Sequence, residues 1–201
     1  MKASMLVAGA AAIGLGVLAF AGGVRAVGVD APVVERVAGE SKPGDTLPEG
    51  FGVLRDMVGY AWEIDGKWLD GRPIWARNEM RPGLNDRFVV ADVHANENGK
   101  TYHRYHTIYA LGEDGVVTSY GFTYDGSTAV VPMVEGESED GDPLVKSTWL
   151  ANKEMGVWIK QELEFEGESY AWRVWSRMGE SGEWTPMMDG RWHRKEKLGA
   201  K

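Results

Sequence analysis

From Tyr60 onward the chain alternates apolar and polar positions with the period of two that a half-buried strand requires. Val157, Ile159, Gln161, Leu163 and Phe165 alternate with Trp158, Lys160, Glu162 and Glu164. Tyr170, Trp172 and Val174 alternate with Arg173 and Arg177, and Tyr60, Trp62 and Ile64 form a first apolar set. The runs are punctuated by Asp65-Gly66, Asp70-Gly71, Asn98-Gly99, Asp114-Gly115, Asp125-Gly126, Asp140-Gly141, Glu166-Gly167, Ser181-Gly182 and Asp189-Gly190. Such pairs tolerate the positive φ of tight hairpin reversals, so the pattern predicts an all-β meander of about nine or ten antiparallel strands. A short helical turn over 52–58 precedes the first strand. So many sequential strands in one small domain leave exposed edges unless the sheet curls shut, so a closed up-and-down barrel is expected, with a sandwich as the second architecture.

Two-residue reversals at Asn98-Gly99, Asp114-Gly115 and Asp125-Gly126 set a register. His94 then lies opposite His103, Asp92 opposite Tyr105, Tyr109 opposite Tyr120, and Phe122 opposite Ala129. One face collects Phe88, Val90, Tyr105, Tyr109, Tyr120, Phe122, Tyr124, Ala129, Val131 and Met133, the expected inner wall. Uniform alternation puts residues three apart on opposite faces, so His103 points inward and His106 outward and the two form no local ligand pair. The second strand reads two ways, with either Ile74, Ala76 and Met80 inside or Trp75, Arg77 and Glu79 inside.

The N-terminus has its own pattern. Lys2 precedes an uncharged Ala/Gly/Leu-rich run from Ala3 to Val24, with small-residue cleavage patterns at 19–21 and 24–26. Residues 1–26 therefore read as a signal peptide or, uncleaved, a membrane anchor, and the remainder is expected to work in the periplasm or outside the cell. Residues 27–50, rich in Pro and acidic residues, read as a flexible lead-in, and 51–196 as the barrel.

Composition narrows the partners. A net charge of −8 argues against a nucleic-acid surface, since phosphate binding needs a basic patch. The absence of cysteine removes disulfides, thiol nucleophiles and thiolate metal sites. Nine tryptophans suit either an aromatic-lined cavity or an aromatic-filled core.

Under the expected register Asp92, His94, His103, Tyr105 and Tyr124 gather at one barrel mouth, where they could anchor a ligand's polar group. Two imidazoles and a carboxylate could also hold a metal, and His94 or His103 could ligate a haem iron. Nothing else in the chain calls for either, and no resident metal or cofactor is expected. Tyr109, Tyr120 and Phe122 extend the ligand-binding wall, and Arg77 joins it if its strand turns that face inward. The acidic run 135–142 lacks the spaced ligands of a calcium loop. Nucleophile elbow, phosphate loop, dinucleotide fingerprint and His-Glu-x-x-His are all missing from the sequence.

With Gly59-Tyr60-Ala61-Trp62 opening the first strand after a helical turn, the series of Asp-Gly hairpins, and the closing run 182–195, the chain resembles the lipocalin and fatty-acid-binding (calycin-like) barrels. It resembles more closely the secreted bacterial barrel proteins of that shape. The resemblance spans roughly 51–195 and implies a central cavity for a small apolar or amphipathic molecule, with no catalytic residue carried over. The expected function is thus a non-catalytic secreted or periplasmic binding protein. One alternative is a metal-assisted or acid/base hydrolase or isomerase using the Asp92, His94, His103 cluster at the barrel mouth; another is an envelope interaction protein with a solid aromatic core. Membrane association follows only if the N-terminal segment is retained.

Overall fold

The computed structural model describes residues 42–97 and 99–199. The expected signal or anchor segment and the first part of the lead-in lie outside the described residues. A 3-10 turn at Glu49–Phe51 and a single-turn helix α1 (Leu54–Met57) lead into eleven strands: β1 (Tyr60–Lys67), β2 (Pro73–Gly83), β3 (Phe88–Glu97), β4 (Lys100–Leu111), β5 (Val117–Thr123), β6 (Thr128–Pro132), β7 (Val134–Glu137), β8 (Pro143–Asn152), β9 (Val157–Glu166), β10 (Ser169–Met178) and β11 (Thr185–Lys197). All belong to one antiparallel sheet in the order β6-β5-β4-β3-β2-β1-β11-β10-β9-β8-β7. Its two edges are consecutive in the chain and β6 comes back beside β8, giving a nearly closed barrel rather than a sandwich. The strand number exceeds the expected nine or ten, with only Met133 separating β6, which ends at Pro132, from β7.

The Asp-Gly pairs do not make two-residue reversals. Backbone bonds close from Trp68 to Arg72, Gly112 to Val116, Thr123 to Ser127 and Ser138 to Asp142, each enclosing three residues. The Gly at the third loop position takes φ of +88° at Gly71, +80° at Gly115, +83° at Gly126 and +86° at Gly141. In three of these loops the Asp carboxylate accepts the N–H two residues ahead, from Arg72, Val116 and Ser127 at 3.0–3.1 Å. This is a type I turn closed by a left-handed glycine, the commonest three-residue hairpin loop. Asp65-Gly66 and Asp189-Gly190 are not reversals; they lie inside β1 and β11, paired through Gly66↔Ile74 and Arg173↔Asp189.

The extra loop residue moves every later pairing by one and turns each side chain over. Ile108 pairs with Tyr120 and His106 with Phe122, and Tyr120 and Phe122 stand on the outer surface, contrary to the expected inner wall, while Tyr124 lies exposed just beyond the end of β5. The second three-residue loop, after Thr123, flips the register again. The two errors cancel, and Val131 and Met133 are buried as expected.

A further one-residue slip occurs inside β4. Near the reversal at Gly99, His94 faces His103 as anticipated, but beyond it Val93 pairs with Tyr105 and Asp92 with His106. Arg104 is the inserted residue of a β-bulge. Val89, Ala91 and Ala95 are consequently buried, and Asp92 and His94, with Phe88 and Val90, belong to the outer face. On β2 the interior set is Ile74, Ala76 and Met80, which settles the two readings and places Arg77 outside.

The core is concentrated at the end where α1 sits. Phe51, Leu54, Met57 and Val58 cap Trp62, Met80, Val89, Phe165, Tyr170 and Trp192. The Trp62 indole donates to the Met57 carbonyl at 3.0 Å, tying the plug to β1 without stranding a buried N–H. Leu47, from the expected lead-in, is also buried there.

Candidate functional site

The tryptophans divide into three groups, so neither reading of their abundance is complete. Trp62 and Trp192 belong to the packed end. Trp75, Trp158, Trp175 and Trp184 lie outside, where Lys160 sits 4.0 Å from the Trp175 ring centre and Arg177 4.5 Å from that of Trp184. Trp68, Trp149 and Trp172 occupy the end of the barrel opposite α1, with the rings of Trp68 and Trp172 meeting edge to face at 6.4 Å. There the inward-facing Tyr105, Thr107, Trp149, Ile159, Gln161 and Trp172 are only half-buried, so solvent reaches this end of the interior around the buried Ile74, Ala95 and Met188, whereas the α1 end is filled.

Arg104 stands in this open end. In a bulge the inserted residue and its neighbour face the same side, so Arg104 accompanies Tyr105 into the barrel instead of pointing out as strict alternation requires. Its guanidinium donates to the hydroxyls of Tyr105 and Tyr102, each at 2.9 Å, and pairs with Glu97. It lies 5.2 Å from the Tyr105 ring centre and 5.7 Å from that of Trp68, within cation–π range. Burial opposes its charge, but Tyr105, Glu97 and Tyr102 outweigh that, holding its pKa above the ordinary arginine value. Among the described residues its second terminal nitrogen has no hydrogen-bond partner. Deeper in, burial pushes the Tyr109 hydroxyl up to about 12.

Of the residues expected to form the site, Tyr105 and Tyr109 therefore face the interior. Asp92, His94 and His103 do gather, but on the outer wall and together with His106. Asp92 Oδ1 lies 3.0 Å from His103 Nε2 and 2.8 Å from His106 Nδ1, and the His94 and His103 rings stack at 4.8 Å. The expectation that His103 and His106 lie on opposite faces fails because Arg104 adds one residue between them. Asp92, His94 and His103 thus stand on the outer wall of the barrel and not on its inner side as expected. Phe122 borders this outer cluster, 6.2 Å from His106, and Tyr124 packs edge-on to Tyr102 at 5.0 Å.

Arg77 is the hub of an outer-face ion network with Glu63 and Glu79 at 3.0 Å and with Glu196, while Arg81 bonds Glu79 at 2.9 Å. Burial would raise the Glu79 pKa, but the hydrogen bonds from Arg81 and Arg77 win and hold it below the usual carboxylate value. Two open clefts flank α1, one of about 200 Å³ beside Gly52, Glu135 and Leu144, the other of about 370 Å³ between Met57, Pro143, Phe165 and Arg194. Neither is lined by the aromatic residues of the open end.

No protein-family model matches the sequence, and no curated protein matches it. Among solved structures the chain is similar to the crystal structure of Rv2717c from M. tuberculosis, with a TM-score of 0.57 and 15% sequence identity, covering 75% of this chain and 99% of that one. At that identity the likeness shows a shared antiparallel barrel fold.

Proposed function

We propose that this is a non-catalytic binding protein whose open barrel end receives a small amphipathic molecule, its apolar or aromatic body against Trp68, Trp149 and Trp172 and its anionic head at Arg104. The observation that carries the reading is the inward turn of Arg104. A permanently charged, half-enclosed guanidinium with a free donor among rings is a site for an acceptor group attached to a flat apolar body. Ligand pockets are mostly apolar with a few placed polar groups, and mouths of barrels are common places for them. The calycin-like resemblance supports the same mode of binding, and the apolar run after Lys2 supports a periplasmic or secreted location.

The test is titration of the protein with 1-anilinonaphthalene-8-sulfonate, which joins an aromatic body to an anionic head, followed by probe emission and tryptophan quenching. Saturable one-to-one binding is expected, weakened about tenfold in Arg104→Met, as one lost charge-assisted contact implies. The uncharged N-phenyl-1-naphthylamine should be affected far less. Probe binding indifferent to both Arg104→Met and Trp172→Ala would defeat the proposal.

A further inference from the structure

The bulge that turns Arg104 inward also builds something outside. Regular alternation would separate His103 and His106; the inserted residue brings both imidazoles to the outer face of β4, where Asp92 of β3 lies beside them. We infer that Asp92, His103 and His106 form a surface site for a borderline divalent cation, Zn(II) being the chemically best match, with an open coordination position toward solvent.

Three features carry this. Both imidazoles aim a ring nitrogen at one oxygen of Asp92, His103 through Nε2 at 3.0 Å and His106 through Nδ1 at 2.8 Å, and the three ligand atoms all lie within 4.8 Å of one another. A tetrahedral zinc with ligands at about 2.0–2.2 Å holds its donors about 3.3 Å apart, so these pairs need open by only a few tenths of an ångström to seat the ion. The side chains of Asp92, His103 and His106 are 35%, 46% and 40% exposed, which leaves a route in from water. Two imidazoles and a carboxylate are also the donor set that suits zinc and its neighbours over calcium or magnesium. His94 stacks on His103 and supports its ring without supplying a ligand atom to the group. The carboxylate of Glu79, across from Asp92, is taken by Arg77 and Arg81 and stays out of the set.

The experiment strips the full chain with a chelator and titrates it with Zn(II) by calorimetry, then repeats with Co(II) while recording visible absorption. One ion per chain is expected, with the intense visible bands of a low-coordinate cobalt site. Asp92→Asn, His103→Gln and His106→Gln should each weaken Zn(II) binding by about tenfold or more, and His94→Gln by no more than about twofold, because a ligand carries far more affinity than its neighbour. Failure of the wild-type chain to bind Zn(II), or undiminished binding in the His103→Gln/His106→Gln double variant, would overturn the inference. Titration of the wild-type chain decides the matter even where a variant fails to fold. The outcome is also independent of whether the barrel interior binds an amphipathic molecule.

Discussion

Replacing Arg104 by Met keeps the aliphatic stem and removes the guanidinium. The change deletes the pair with Glu97 and the two 2.9 Å hydrogen bonds to Tyr102 and Tyr105. Hydrogen bonds to a charged group are worth about 1.5–3 kcal/mol each when dry, and stranding a buried partner costs about 3–5 kcal/mol. The side chains of Arg104 and Glu97 keep 18% and 25% of their surface, and both phenols can turn to water, so solvent recovers part of this. The expected loss is about 3 kcal/mol, read by urea unfolding with tryptophan fluorescence and far-ultraviolet dichroism, with the denaturant slope unchanged. Much of that loss is the carboxylate left behind. Adding Glu97→Gln to Arg104→Met should therefore restore about 1 kcal/mol or more. A single variant within about 0.5 kcal/mol of wild type, or a double variant less stable than Arg104→Met, would refute the account of Arg104 as a desolvated, partnered charge.

Further outcomes follow from other sites. Burial raises Tyr109 from 10.0 to about 12, which favours the protonated phenol in the fold; stability should be full below pH 10 and decline as pH rises through about 12, and Tyr109→Phe should lessen that decline in pH-dependent melts. Hydrogen bonds from Thr123 and Ser127 lower Asp125 from 3.8 to about 2, so the stability it contributes should persist above pH 3.8 and vanish as pH falls through about 2; a carboxyl titration by NMR that places its midpoint at or above 3.8 would contradict this. Gly59 has φ of +82°, and a Cβ there would run into the Pro43 ring, so Gly59→Ala should cost about 2 kcal/mol or more in urea unfolding. An unchanged midpoint would show that the chain between Pro43 and β1 yields freely.

Much of the architecture is legible in the chain. Alternation in β9 and β10, the helical turn before β1 and the turn chemistry suffice for an antiparallel up-and-down meander, because a strand shows its two faces directly in its period. The Asp-Gly pairs also hold the correct loops, but those at Asp65 and Asp189 show that the dipeptide alone does not make a reversal. A polar pair within a strand looks the same until the partner strand pairs across it. The bulge left one trace in TYHRYHTIY: Tyr102, Tyr105 and Tyr109 can all reach the interior only if one residue is inserted between the first two. That trace becomes readable only once the neighbouring strand is known.

Composition, strand period and the preference for glycine at positive φ are local properties, and they determined by themselves that the chain forms an antiparallel meander of hairpins, while closure into a barrel and not a sandwich came from the pairing of the whole sheet. Which side each residue faces was decided by tertiary pairing. A single extra residue in a loop or bulge changes little locally, yet it reverses every side chain beyond it until another insertion cancels the shift. For that reason Arg104 went inside, Asp92, His94, Tyr120 and Phe122 went outside, and His103 and His106 came to share a face, none of which alternation along one strand could specify.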